Sequence, residues 1–178
     1  MVKQFSDVFK EIIDSEDYKK FFDENPSYYL AHGFIQLNSR FETTKHWQVG
    51  FYSADKDNLA LFQTNPVKFV GFEDAFKDGG MIDKLAFDET FVDMDKVNEV
   101  VGGLLATEYS AESPTSFIVV LQSVLGKELY NVTVVTASFS MLLIKVDALT
   151  GKIVSHKKES LLSLKKDDKE TEPTGEEE

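Results

Sequence analysis

The chain is 178 residues long, 42% apolar and 12% aromatic, enough material for one ordinary core or two small ones. It has no cysteine, which excludes disulfides, thiolate metal sites and cysteine nucleophiles. Its 31 acidic and 19 basic residues give a formal charge of −12, of which residues 165–178 carry only −4, so the body is itself acidic. That charge opposes nucleic-acid backbones and anionic membranes, and neither is expected as a partner.

Phe5, Val8, Phe9, Ile12 and Ile13 recur at helical spacing, predicting an amphipathic helix over 5–14 with Ser6 as its N-cap. Ser15 caps a second short helix carrying Tyr18, Phe21 and Phe22, which stops at Asn25-Pro26. Tyr28 to Phe41 turns to strand composition. His46 to Ser53 alternates as a strand, Asp55 to Asn58 is a turn, and Leu59 to Gln63 returns. Val67 to Phe72 follows the break at Asn65-Pro66, and a short helix is expected around Phe72 to Lys77, closing on Gly79-Gly80.

Met81 to Phe91 is irregular and acidic, and reads as a connector over 81–92. Asp93 then caps a helix with Val97, Val100, Val101, Leu104 and Leu105 at helical spacing. Ser113-Pro114 reads as a further helix start, with Phe117, Val120, Leu121 and Val124 as the buried stripe and Gly126 as the stop. Strands are expected over Tyr130 to Ala137, Phe139 to Asp147 and Lys152 to His156, then a short helix from Glu159 to Leu164 and a disordered acidic tail, 165–178. The strand Phe139 to Asp147 is apolar on both faces, so it is expected to be central and covered on both sides.

The element order repeats: residues 1–80 and 93–164 each read as helices followed by strands. Ser15 matches Ser113, Tyr29 matches Tyr130, Phe51 matches Val146, and the turn Asp55 to Asn58 matches Ala148 to Gly151. The expected class is α+β, helices packed on antiparallel sheet, with two similar α-β-β-β units; one mixed domain without internal symmetry is the alternative.

The stretch Val146-Asp147-Ala148, then Thr150-Gly151-Lys152-Ile153, resembles the C-terminal hairpin of PepSY-type domains, with Ser113 to Gly126 in the place of the preceding helix. The likeness covers Ser113 to His156 only. It implies a PepSY- or cystatin-like sheet with helices and a binding or inhibitory role without catalysis. PepSY domains occur in metallopeptidase propeptides and in cell-envelope proteins. No charged and apolar leader is written at residues 1–14, and a cytoplasmic location is the expectation from the sequence.

No catalytic constellation is written in the sequence. His32, His46 and His156 lack metal-binding spacing, and an EF-hand loop starting at Asp93 fails at Asn98 and Leu104. No Gly-x-Ser-x-Gly occurs, and Gly102-Gly103 lacks the rest of a phosphate loop. No metal, cofactor or catalytic residue is therefore expected. The aromatic residues Tyr28, Tyr29, Trp47, Phe51 and Tyr52 are the candidate surface for a ligand or partner, with Trp47 and Phe51 on one sheet face and Tyr52 on the other. The expected function is a binding or protein-interaction module for an unknown protein or small apolar ligand. The alternatives are a small enzyme using His32 or His46 with a carboxylate in a hydrophobic cavity, and a self-associating homodimer.

Overall fold

The structure is a computed structural model, and it describes residues 2–43, 45–75 and 80–161. Its elements are α1 (Phe5–Asp14), α2 (Glu16–Glu24), β1 (Tyr29–Asn38), β2 (Gln48–Ser53), β3 (Asn58–Gln63), β4 (Lys68–Asp74), α3 (Met94–Glu108), β5 (Pro114–Val124), β6 (Lys127–Thr136), β7 (Ser140–Asp147) and β8 (Ile153–Ser160). The strands form one antiparallel sheet in the order β4-β3-β2-β1-β5-β6-β7-β8. Helices pack on that sheet, so the fold is α+β.

Each half contributes a four-stranded meander, and the two meanders join first strand to first strand, β1 against β5, from His32↔Gln122 to Asn38↔Ser116. By position in its meander β1 corresponds to β5. The sequence match instead set Tyr29 of β1 beside Tyr130, which lies on β6.

All three helices cover the same face. Phe5, Val8 and Ile12 of α1, Phe21 of α2, and Met94, Val97 and Val101 of α3 share one core with Ile35, Leu37, Val49, Phe117, Val119, Leu121, Val132, Val134, Leu142 and Ile144. The aromatic content fills this layer: Phe21 meets Phe62 at 5.5 Å and Tyr28 at 5.2 Å, and Phe5 meets Trp47 edge-on at 5.5 Å. Side-chain-to-backbone bonds tie the segment ahead of α1 to the sheet and to the start of α3. Trp47 Nε1 donates to Lys3 O at 2.9 Å, and Met94 N donates to Gln4 Oε1 at 2.9 Å.

Several sequence expectations hold. Ser15 Oγ accepts from Tyr18 N at 3.2 Å and opens α2, and Asp93 Oδ1 accepts from Lys96 N at 2.7 Å and opens α3. The break expected between the strands ending at Asp147 and starting at Lys152 is a turn, in which Asp147 Oδ1 accepts from Thr150 N at 2.7 Å and Gly151 takes φ 68°.

Others are corrected. Gln4, not Ser6, precedes α1, and it makes no side-chain cap. Pro114 to Val124 is strand β5, not a helix: it lies mid-sheet between β1 and β6, and its ladder of inter-strand bonds overrides the Ser-Pro start signal. Phe72 to Asp74 ends β4, so the helix expected there does not begin at Phe72, and 76–79 lie outside the described residues. Glu159 and Ser160 close β8 rather than starting a helix. The rest of that element and the acidic tail 165–178 lie outside the described residues. β7 is next to the edge, and the helices cover only one of its faces.

Candidate functional site

The face of the sheet turned away from the helices is built by the opposite parity of each strand. On β1, Gly33, Ile35 and Leu37 point to the helices, while His32, Phe34 and Gln36 point away. A bulge between Leu30 and His32 puts Ala31 and His32 on the same side, as their clustering with Tyr52, Leu59 and Leu61 shows for Ala31.

Pairing then lays residues of this face in lateral rows. One runs Gln63, Gln48, Phe34, Val120, Asn131, Lys145. The next runs Gln36, Ile118, Thr133, Leu143, Lys157, and a third runs Ser116, Val135, Met141, Glu159. Phe34, Ile118, Val120, Val135, Met141 and Leu143 are all half-buried, with no helix above them.

Phe34 divides two depressions. The first, of about 330 Å³, is lined by Phe34, Gln36, Lys45, His46, Gln48 and Gln63. The second, of about 310 Å³, includes Phe34, His32, Val120, Gln122, Glu73 and Ile82. Phe34 thus shares its depressions with the carboxamides of Gln36, Gln48, Gln63 and Gln122, with Lys45 lining the first and Glu73 and Asp74 the second. Within the same row Asn131 keeps its Nδ2 buried without an acceptor among the described residues.

His32 sits over Gly50, where a side chain at residue 50 would otherwise stand. Burial pushes its pKa down to about 4, so the imidazole is neutral at pH 7. Among the described residues no carboxylate hydrogen-bonds to it, although Glu73 and Asp74 line the same depression. His46 Nδ1 lies 3.4 Å from Asn65 Nδ2, and His156 Nδ1 lies 2.8 Å from Tyr109 Oη on the helical side. The three histidines are therefore kept apart, and no group of three or more His, Asp or Glu side chains among the described residues is placed to hold a metal.

The aromatic surface expected from the sequence is not displayed. Tyr28, Trp47 and Phe51 lie inside the helix-covered core, exposed by only 4%, 2% and 1%. Tyr52 is fully buried on the other face, as its parity requires, beside half-buried Tyr29 at 5.7 Å. Tyr52 Oη donates to Asp57 Oδ1 and Tyr29 Oη to Ile82 O, so the connector closes over this end of the sheet. The reason is volume: α1 and α2 bring few aliphatic side chains, and sheet aromatics fill the layer beneath them. His32, a candidate of the enzyme alternative, lies on this face without a carboxylate partner among the described residues, and the residues missed are Gln48, Val120 and Gln122; the place of Phe34 in the polar parity of β1 is the signal that points to this face.

The fold and this face define a sheet protein with one side covered by α1, α2 and α3 and the other covered, among the described residues, by the connector at one end. A solved structure from Clostridium difficile 630, described as a "putative lipoprotein", shares the fold with a TM-score of 0.50 and 12% identity, over 88% of this chain and 93% of that one. No protein-family model matches the chain, and no curated protein matches it in sequence. No helix among the described residues is long and apolar enough to cross a membrane.

Proposed function

We propose that the chain is a non-catalytic binding module whose contact surface is the helix-free face of the sheet, centred on Phe34. The observation that carries this reading is the one-sided placement of the helices over a sheet whose other face is apolar at Phe34, Ile118, Val120, Val135, Met141 and Leu143. An antiparallel sheet with one solvated face ordinarily alternates to polar residues there. Here the apolar positions run across four adjacent strands, with amides beside Phe34 to meet the polar groups of a small apolar ligand or a protein surface. An inhibitory role belongs to the PepSY-like version of the reading. The β7–β8 hairpin supports it, whereas the helix ahead of the hairpin is α3, separated from it by β5 and β6.

Titration of isotope-labelled protein with a set of small aromatic and apolar compounds tests the reading by NMR. Amide shifts should gather on Phe34, Gln48, Val120 and Leu143, and Phe34→Ala should abolish them while leaving the other resonances in place. Shifts confined to the helical side, or chemical turnover of an added compound, would sink it.

The breadth of the apolar rows favours a second reading, self-association through the same face. Light scattering separates the two: a dimer that Leu143→Lys dissociates supports self-association.

A further inference from the structure

The two edges of the sheet are built differently. β8 presents Lys157, Lys158 and Glu159 along its length, charges that discourage pairing with a foreign strand. The middle of β4 reads Phe69-Val70-Gly71-Phe72, with Val70 46% and Phe72 52% exposed.

Beside this edge runs a groove of about 410 Å³ between β4 and α2, floored by Phe21, Phe69 and Phe72 and rimmed by Asp17, Lys20 and Glu24. The floor is already ordered: Phe69 stacks on Phe21 at 5.1 Å and meets Phe72 edge-on at 5.2 Å. Asp17 Oδ2 accepts from Phe69 N at 3.2 Å, and the β3–β4 register slips between Leu61 and Phe62. Those two features end the usable edge at its first residues and leave Gly71 to Asp74 as the template for an added strand. Among the described residues nothing lies within 4 Å of where a Cβ on Gly71 would stand, so they leave the approach open there.

Charge selects the visitor. Glu16, Asp17, Asp23 and Glu24 on α2, with Glu73 and Asp74 on β4, outnumber Lys19, Lys20 and Lys68 two to one.

We infer that the β4 edge and the α2 groove bind an extended basic peptide as a ninth strand. Its backbone pairs with Gly71 to Asp74, one bulky apolar side chain lies in the groove over Phe21, Phe69 and Phe72, and the lysine or arginine residues two positions to either side of it meet Asp17 and Glu24. Alternate side chains of an extended peptide point to one side, so the groove reads every second residue. This site is separate from the Phe34 face and does not depend on it.

Fluorescence anisotropy with the full chain and three labelled octapeptides tests this. One carries a central phenylalanine with lysine or arginine two residues to either side and threonine between them, one replaces the basic residues with glutamate, and one replaces a threonine beside the phenylalanine with proline. The first should bind, and the other two should bind about tenfold or more weakly, the acidic peptide through repulsion and the proline peptide through loss of a ladder bond. Phe72→Lys, at an exposed position, should weaken the first peptide to the same degree, and Phe34→Ala should leave it unchanged. Equal binding of all three peptides, no binding at all, full binding to Phe72→Lys, or loss of binding in Phe34→Ala would each overturn the proposal. So would a dimer dissociated by Val70→Lys, which would show the edge pairing with a second copy.

Discussion

The imidazole of His32 occupies the space above Gly50: a Cβ at residue 50 would lie 2.3 Å from His32 Cε1 and 2.7 Å from Nε2. The ring is held against the backbone of the neighbouring strand, and burial lowers its pKa from 6.5 to about 4. In the unfolded chain the same group titrates near its ordinary value, so the unfolded state takes up the proton first as pH falls. The stabilisation is complete above about pH 6.5 and declines through the window down to about 4, by no more than about 3 kcal/mol, less the part that water relieves at a half-buried ring. Urea midpoints at about pH 7, 6 and 5 should fall in the native protein and stay nearly level in His32→Gln. Equal slopes in the two would show that the ring is solvated.

Gly33 gives a harder version of the same contact. A Cβ there would lie 2.3 Å from Phe5 Cε2, and Phe5 is wedged among Trp47, Phe9 and Phe87 in the core. His32 can swing toward solvent, whereas Phe5 cannot leave without shifting α1. Gly33→Ala should therefore cost about 1–3 kcal/mol, the range for overpacking, and Gly50→Ala much less. Comparing their denaturant midpoints checks this, and equal losses would contradict it.

Tyr130 ties the connector to the sheet. Its hydroxyl donates to Val92 O at 2.9 Å, and Val92 N donates to Ala148 O at 2.7 Å. Burial also pushes its phenol pKa up, which keeps the hydroxyl protonated as a donor. Tyr130→Phe leaves the Val92 carbonyl without this donor and should cost about 1–2 kcal/mol. Thermal unfolding measures it, and an unchanged midpoint would mean that the carbonyl is satisfied by water.

Glu112 joins three segments at the opposite end of the sheet from the β7–β8 turn. Its carboxylate pairs with Lys158 and accepts from Ser138 Oγ at 2.5 Å, and these contacts, Lys158 foremost, hold its pKa down to about 2. The contribution to stability is present above the ordinary carboxylate value of about 4.5 and is lost as pH falls toward about 2. Lys158→Ala should move the acid-unfolding transition, followed by circular dichroism, to higher pH. An unmoved transition would assign the lowered pKa to Ser138.

The helices and tight turns of this chain were readable because each is specified locally. Ser15 and Asp93 cap through their own side chains, and Asp147 with Gly151 closes a turn within a few residues. β5 misled because a strand apolar on both faces satisfies two periods at once. Phe117, Val120, Leu121 and Val124 fit helical spacing, while Phe117, Val119 and Leu121 are the residues that are buried. The β-branched run Ile118 to Val120 favours the strand. The candidate face depended on which parity of each strand meets the helices, a tertiary fact. Trp47 and Tyr52 were correctly set on opposite faces, yet their burial could not be read until the helices and connector were placed over them.

The seam between β1 and β5 joins residues whose partners lie far along the chain, Asn38 with Ser116 and His32 with Gln122. During synthesis at about 5–20 residues per second, β1 therefore waits roughly 4–18 s for its neighbour. Through that interval one side of β1 is a bare edge carrying Phe34, Ile35 and Leu37. A nascent chain in this condition is open to capture by another nascent copy, and to any chaperone that recognises exposed apolar strand, before the ribosome has delivered the strand that closes it.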